Sequence, residues 1–142
     1  MAVVFRRAIE ASDLAHDIGF SQFPKGACGD AALLLARFLR AHGVDQIEYV
    51  LGWSLEGREA RRSHAWLEIG GLTVDITADQ FSSRPAPPVL VTFDRKWHLY
   101  FVEQERHTAE LDAYDPVTRT RLLDLYRRVL RNIPTELRGS PA

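Results

Sequence analysis

Apolar residues recur along this chain with two different periods, and each predicts a different element. From Asp30 to Gly43 the run DAALLLARFLRAHG sets Ala31, Leu34, Leu35, Phe38 and Leu39 at helical spacing. Ala32, Leu33 and Ala36 widen that stripe until only Arg37, Arg40 and His42 are plainly polar, so the helix is expected at the centre of the fold. The glycine- and proline-bearing stretch Gly19 to Gly29 (GFSQFPKGACG) reads as a loop feeding into it. IEYVLGW (Ile47 to Trp53) reads as a strand, followed by a polar connection, Leu55 to Arg62. SHAWLEI (Ser63 to Ile69) and LTVDIT (Leu72 to Thr77) alternate with the period of a strand. Only Gly70 and Gly71 separate them, the residues a two-residue hairpin turn needs for its positive backbone angles.

Past the stiff RPAPP connection, VLVTF (Val89 to Phe93) and WHLYF (Trp97 to Phe101) are expected as short strands, while 103–118 is acidic and poorly patterned. A helix is predicted from Arg119 to Ile133 on the stripe Leu122, Leu123, Tyr126, Val129, Leu130 and Ile133. Arg121, Arg127, Arg128 and Arg131 around it read as a solvated face before an anion site. Residues 1–18 read as an extended piece and then a helix with Ser12 and Asp13 as caps, and 134–142 as a loose tail. Together these elements predict one α+β domain over 1–142, a helix packed on an antiparallel sheet of about four or five strands.

Composition narrows the functional classes. Of 142 residues 46% are hydrophobic and 10% aromatic, enough to build a core, and the net charge of −1 gives no reason to expect a nucleic acid partner. Arg6, Arg7 and Glu10 interrupt the N-terminal apolar residues before they could form a signal peptide or membrane span. A cytoplasmic protein without membrane contact is therefore expected, with signal-less export left open. Oligomeric state is not legible. The lone cysteine, Cys28, forms no internal disulfide, so it is either buried filler or a reactive thiol.

The hairpin brings chemistry into view. With Gly70 and Gly71 as turn residues, Ile69 faces Leu72, and carrying that register back sets Trp66 opposite Asp75 and His64 opposite Thr77. His64, Trp66, Glu68, Thr73, Asp75 and Thr77 then share one face, on which His64 and Asp75 are diagonal neighbours, about 7 Å apart at Cβ and within reach of one hydrogen bond. Taken alone, the hairpin favours a plainer reading, the solvated side of a half-buried sheet. Cys28 changes the balance. It stands where the glycine-rich loop enters the helix, and there the helix dipole and unpaired backbone N–H groups stabilise a thiolate and an oxyanion alike. Thiol, imidazole and carboxylate supply nucleophile, base and orienting group.

This order of residues resembles the transglutaminase-like branch of the papain-like fold. Cys28-Gly29-Asp30 followed by the apolar helix resembles the family's nucleophile helix, His64-Ala65-Trp66-Leu67-Glu68 its histidine strand, and Val74-Asp75-Ile76-Thr77 its aspartate strand. The resemblance spans Pro24 to Phe81, with Ile76 where many members have proline. Within the superfamily, the small size and the short spacing from His64 to Asp75 are similar to lasso-peptide leader peptidases and to glutamine-deamidating bacterial toxin domains. The resemblance implies a papain/transglutaminase-like core with its nucleophile helix on an antiparallel sheet. It also implies a Cys28-His64-Asp75 triad, and it gives Gln22, six positions before the cysteine, the role of an oxyanion donor. Gly29 and Trp66 are candidate substrate contacts, although Trp66 also fits as a shield over the histidine or as ordinary packing.

The expected activity is acyl transfer from a peptide or protein amide through a thioester, by a peptidase, amidase or deamidase with water as acceptor, or a transamidase with an amine. A non-catalytic binding or adaptor domain on the same fold is the alternative. Cys28, His64, Asp75 and His98 include acceptable zinc ligands, but none of them shares a close ligand spacing, so no metal and no cofactor are expected.

Overall fold

The computed structural model describes residues 1–54 and 62–141. Most of the connection expected at Leu55 to Arg62 therefore lies outside the described residues. The described residues form an α+β fold with three α-helices, four short 3-10 turns and a five-stranded sheet.

Helix α1 (Ala2–Ala11) starts at once, without the extended lead-in, and buries Phe5, Ala8 and Ile9. Ser12 caps its C-terminal end instead of starting a helix, with its hydroxyl donating to Ala8 O at 2.6 Å. Helix α2 (Cys28–Arg40) buries eight consecutive or near-consecutive apolar residues from Ala31 to Leu39. At roughly 1.5–3 kcal/mol per large apolar side chain, that burial makes α2 the anchor of the core. Helix α3 (Pro116–Arg131) begins three residues before the apolar stripe suggested. Asp115 caps it by accepting from the N–H groups of Val117 and Thr118, and Pro116 takes the first helical position, where a missing N–H costs nothing.

Strands β1 (Ile47–Ser54), β2 (Ser63–Ile69), β3 (Leu72–Asp75), β4 (Leu90–Thr92) and β5 (Phe101–Thr108) form one antiparallel sheet in the order β4-β3-β2-β1-β5. The hairpin register is the expected one, Ile69 with Leu72 and Leu67 with Val74, and Gly70 and Gly71 adopt φ of 56° and 84°. WHLYF does not form a strand. His98–Tyr100 is a 3-10 turn, and the strand runs from Phe101 through the stretch that carries no apolar pattern. As an edge strand exposed along most of its length, β5 needs no alternation, and its charges suit an edge that must not pair with other chains.

One face of the sheet receives α1, α2 and α3, which share a core with Ile47, Tyr49, Ala65, Leu67, Val74 and Ile76. The other face is not solvated as the hairpin alone suggested. Phe81 and Phe101 close over Val50 and Trp66, with Trp97 and Tyr100 packed against them. Gly52 allows the closure, because a Cβ there would sit 2.7 Å from that of Phe101. Residues 134–141 include a 3-10 turn at Thr135–Leu137 and contacts to the residues just past α2: Ser140 N–H donates to Ala41 O, and Leu137 O meets the His42 ring. Among the described residues no helix is long and apolar enough to cross a membrane.

Candidate active site

Strand β2 begins with Ser63, so its second residue, His64, projects onto the covered face, and β3 delivers Asp75 at its last position. His64 Nε2 lies 2.6 Å from Asp75 Oδ2, and both side chains are fully buried. The other carboxylate oxygen accepts the Thr77 N–H at 2.9 Å. A second imidazole, that of His98, places its Nε2 2.7 Å from the same Oδ2. An ionised carboxylate only accepts, so each of these ring nitrogens carries the proton it shares with Asp75. Burial raises the Asp75 pKa, but the charge and hydrogen bond of His64, and then those of His98, outweigh it and hold the carboxyl well below the usual range.

That arrangement leaves His64 Nδ1 as the working atom. It points away from Asp75, and the Gln80 amide Nε2 stands 3.2 Å from it while also donating to Thr77 O at 3.1 Å. The Cys28 thiol also interacts with His64. Burial raises its pKa, but the hydrogen bonding and charge of His64 and the N–H groups of Ala65 and Gly29 bring it below the ordinary thiol value. Burial would lower the His64 pKa, yet Asp75 and Cys28 raise it. Opposite shifts on the two partners favour a thiolate facing an imidazolium over a thiol facing a neutral ring. In the neutral state Nδ1 accepts from Gln80. In the ion-paired state Nδ1 carries a proton as well, and Gln80 keeps its bond to Thr77.

Aromatic rings surround the histidine. Trp66, Phe81, Trp97 and Phe101 have centroids 5.1–5.7 Å from that of His64, the Phe81 and Trp97 rings edge-on. They keep water from the His64-Asp75 bond, which is stronger in that low dielectric. Cys28, by contrast, is partly exposed at the start of α2. Buried Arg6 braces the segment that follows Asp75: its guanidinium donates to Asp79 at 2.8 and 2.9 Å and to Ile76 O at 2.6 Å.

The structure thus brings Cys28, His64 and Asp75 together, with Gly29 beside the thiol. Trp66 is 4% exposed and forms a wall of the histidine box, with its Nε1 donating to Glu68. Gln22 is exposed, its carbonyl accepts the Lys25 N–H, and among the described residues its side chain bonds to none of the cluster. Sequence reasoning missed Gln80 altogether and weighed His98 only as a ligand. Nothing in the spacing of either residue marks it, because both arrive on the segment folded over the outer face.

His64, Asp75 and His98 offer ligand atoms within 4.8 Å of one another and are chemically suited to a divalent transition metal. Here their distances are those of hydrogen bonds, and a metal at Nε2 would have to displace both ring protons. The chain matches no protein-family model, no curated protein and no solved structure.

Proposed function

We propose that this protein is a cysteine-dependent acyl-transfer enzyme with a papain/transglutaminase-like core, acting on a peptide or protein amide. The observation that carries this reading is the environment of His64, with Nε2 committed to a buried, ionised Asp75, Nδ1 free of that carboxylate, and the partly exposed Cys28 thiol, of lowered pKa, interacting with the same ring. Cys28 sulfur adds to the carbonyl carbon, whose π electrons move to oxygen. Collapse of the adduct expels the amine, which takes its proton from His64 Nδ1, and a thioester remains. Water or an amine then gives a proton to His64, attacks the thioester and releases the thiolate. Asp75 stabilises the imidazolium in both halves.

The pH dependence of alkylation tests the reading. A lowered thiol pKa moves the rising, thiolate-limited limb to lower pH, so iodoacetamide should label Cys28 near pH 6 faster than a free thiol titrating at about 8.5. The raised His64 pKa puts the loss of the imidazolium on the alkaline side, and acyl transfer should fall there. His64→Ala should return the labelling profile to that of a simple thiol. Labelling that follows an ordinary thiol in the parent protein would instead favour a binding domain, in which the closed histidine box is only a polar core.

A further inference from the structure

The acyl-transfer reading leaves one requirement open, a donor for the oxygen that becomes anionic when sulfur adds to the carbonyl, because the exposed Gln22 side chain bonds, among the described residues, to none of the cluster. Tyr49 is the side chain on β1 with an unused donor near that point. Its residue neighbours across the sheet are Leu67 and His107, and its ring stacks on the His107 ring at 4.8 Å, which fixes its direction. Only 7% of Tyr49 is exposed, and among the described residues its hydroxyl makes no hydrogen bond but is not fully buried, so the O–H stays open to a bound group. A phenol O–H in that state can donate to a substrate without first breaking a bond within the protein.

The hydroxyl is aimed at the start of α2. A Cβ built on Gly29 would meet Tyr49 Oη at 3.0 Å, the nearest atom to that position. Cα–Cβ bonds tilt toward a helix's N-terminus, so an atom in line with the missing Cβ lies beside the first turn, on the side of its unpaired N–H groups. Ala27, the residue before the helix, brings no side chain to cap those groups. The phenol also responds to the site. Burial raises its pKa furthest, followed by the charges of Tyr114, Cys28, Glu105 and Asp30, so it remains a donor throughout the working range.

We propose that Tyr49 is a further catalytic residue, whose hydroxyl donates a hydrogen bond to the tetrahedral oxyanion formed on Cys28, together with backbone N–H groups of the first turn of α2. No proton is transferred. The phenol O–H is fixed in place before reaction, which is the arrangement that gives an oxyanion donor its worth. Gly29 has a matching role, since its lack of a Cβ leaves room for the hydroxyl.

Two reagents separate this role from the others. p-Nitrophenyl acetate acylates a thiolate through a tetrahedral oxyanion, leaving an acetyl thioester and p-nitrophenolate, whereas iodoacetamide alkylates sulfur by direct displacement of iodide with no oxyanion. Tyr49→Phe should slow acylation of Cys28 about 10- to 100-fold, below the full worth of an oxyanion donor because the backbone N–H groups remain. Its alkylation rate and melting temperature should match the parent's, and Tyr114→Phe should leave both reactions unchanged. Parental acylation in Tyr49→Phe would overturn the role alone, and so would equal slowing of both reactions, which would make Tyr49 a support for the thiolate. A parent protein whose Cys28 alkylates no faster than a free thiol would overturn the acyl-transfer reading and this role with it.

Discussion

The outer face of the β2–β3 hairpin carries two clusters of ionisable groups a few residues apart, and they are built to opposite ends. At one end Asp75 is wholly buried between the imidazoles of His64 and His98. At the other, Glu68 is held by Trp66 Nε1, by Arg95 at 2.7 Å and by Arg106 at 2.8 Å, and Arg106 also reaches Glu48 and Glu103. Both carboxylates are shifted down, so a perturbed pKa does not distinguish them. Their partners do. Arginine stays charged at any working pH and fixes Glu68 in one state, whereas an imidazole can hand its proton on. Of these partners His64 is also coupled to a thiol, that of Cys28. The chemistry of a buried carboxylate therefore follows from the far side of its partner.

The largest effect that would break this comparison is expected at Asp75. Asp75→Asn keeps the shape but removes the charge that supports the imidazolium, and its NH2 must face either the shared position of both imidazoles or the Thr77 N–H, so the hold on the tautomer and orientation of His64 is lost. Thiol acylation by p-nitrophenyl acetate should fall roughly 10³- to 10⁴-fold. Stability should fall too, by a few kcal/mol, because the side chain is buried and serves three donors. The loss of rate should exceed what unfolding accounts for in a melt on the same sample. A parental acylation rate in folded Asp75→Asn would remove the distinction between the two clusters.

A smaller effect should sharpen it. His98 bonds Asp75, and among the described residues its Nδ1 is buried without a partner, so it acts as a positioning residue that limits the freedom of the carboxylate. His98→Phe should slow acylation about tenfold, and with one donor fewer on Asp75 the His64 proton should be held more tightly, moving the alkaline limb of the profile upward. A loss as large as that of Asp75→Asn, with no shift of that limb, would point to His98 and not His64 as the base.

These residues also show what could be read without coordinates. The Gly-Gly turn fixes the hairpin register, and that register leads from a sequence pattern to a His64-Asp75 hydrogen bond, because strand alternation is local and discrete. The apolar run after Cys28 likewise identifies the central helix. The cover over the outer face was not legible. His64, Glu68, Asp75 and Thr77 look like a solvated row, and only the return of Phe81, Trp97 and Phe101 from distant positions makes that row interior. Gln80 and His98 arrive on the same return. β5 escaped notice for a related reason: an edge strand takes its stability from the β1 ladder, so Val102 to Thr108 can be polar on both sides. Edge and cover are tertiary facts, to which periodicity within a segment is blind.

The smallest expected effects lie within the arginine cluster, where burial grades the response. Glu68 sits on the same face as His64, and a solvated Glu68 would make Glu68→Gln silent in every assay. Its side chain is only 9% exposed, however, and it anchors Arg95 and Arg106 while accepting from Trp66. Removing its charge should cost about 1–3 kcal/mol, the usual cost of weakening charge-assisted bonds at a buried acceptor. The acylation rate of the folded protein should stay within about twofold, since an exchange at Glu68 leaves the His64-Asp75 bond in place. Glu48 bonds the same Arg106 with its side chain 48% exposed. An exposed pair is screened by water and salt, so Glu48→Gln should cost no more than about 0.5 kcal/mol, and that difference should vanish in 1 M salt. Chemical denaturation with urea at two salt concentrations reads both variants. Equal losses from Glu48→Gln and Glu68→Gln would show that burial does not set the worth of this network, and a large loss of acylation rate in Glu68→Gln would show that the two ends of the hairpin are one site.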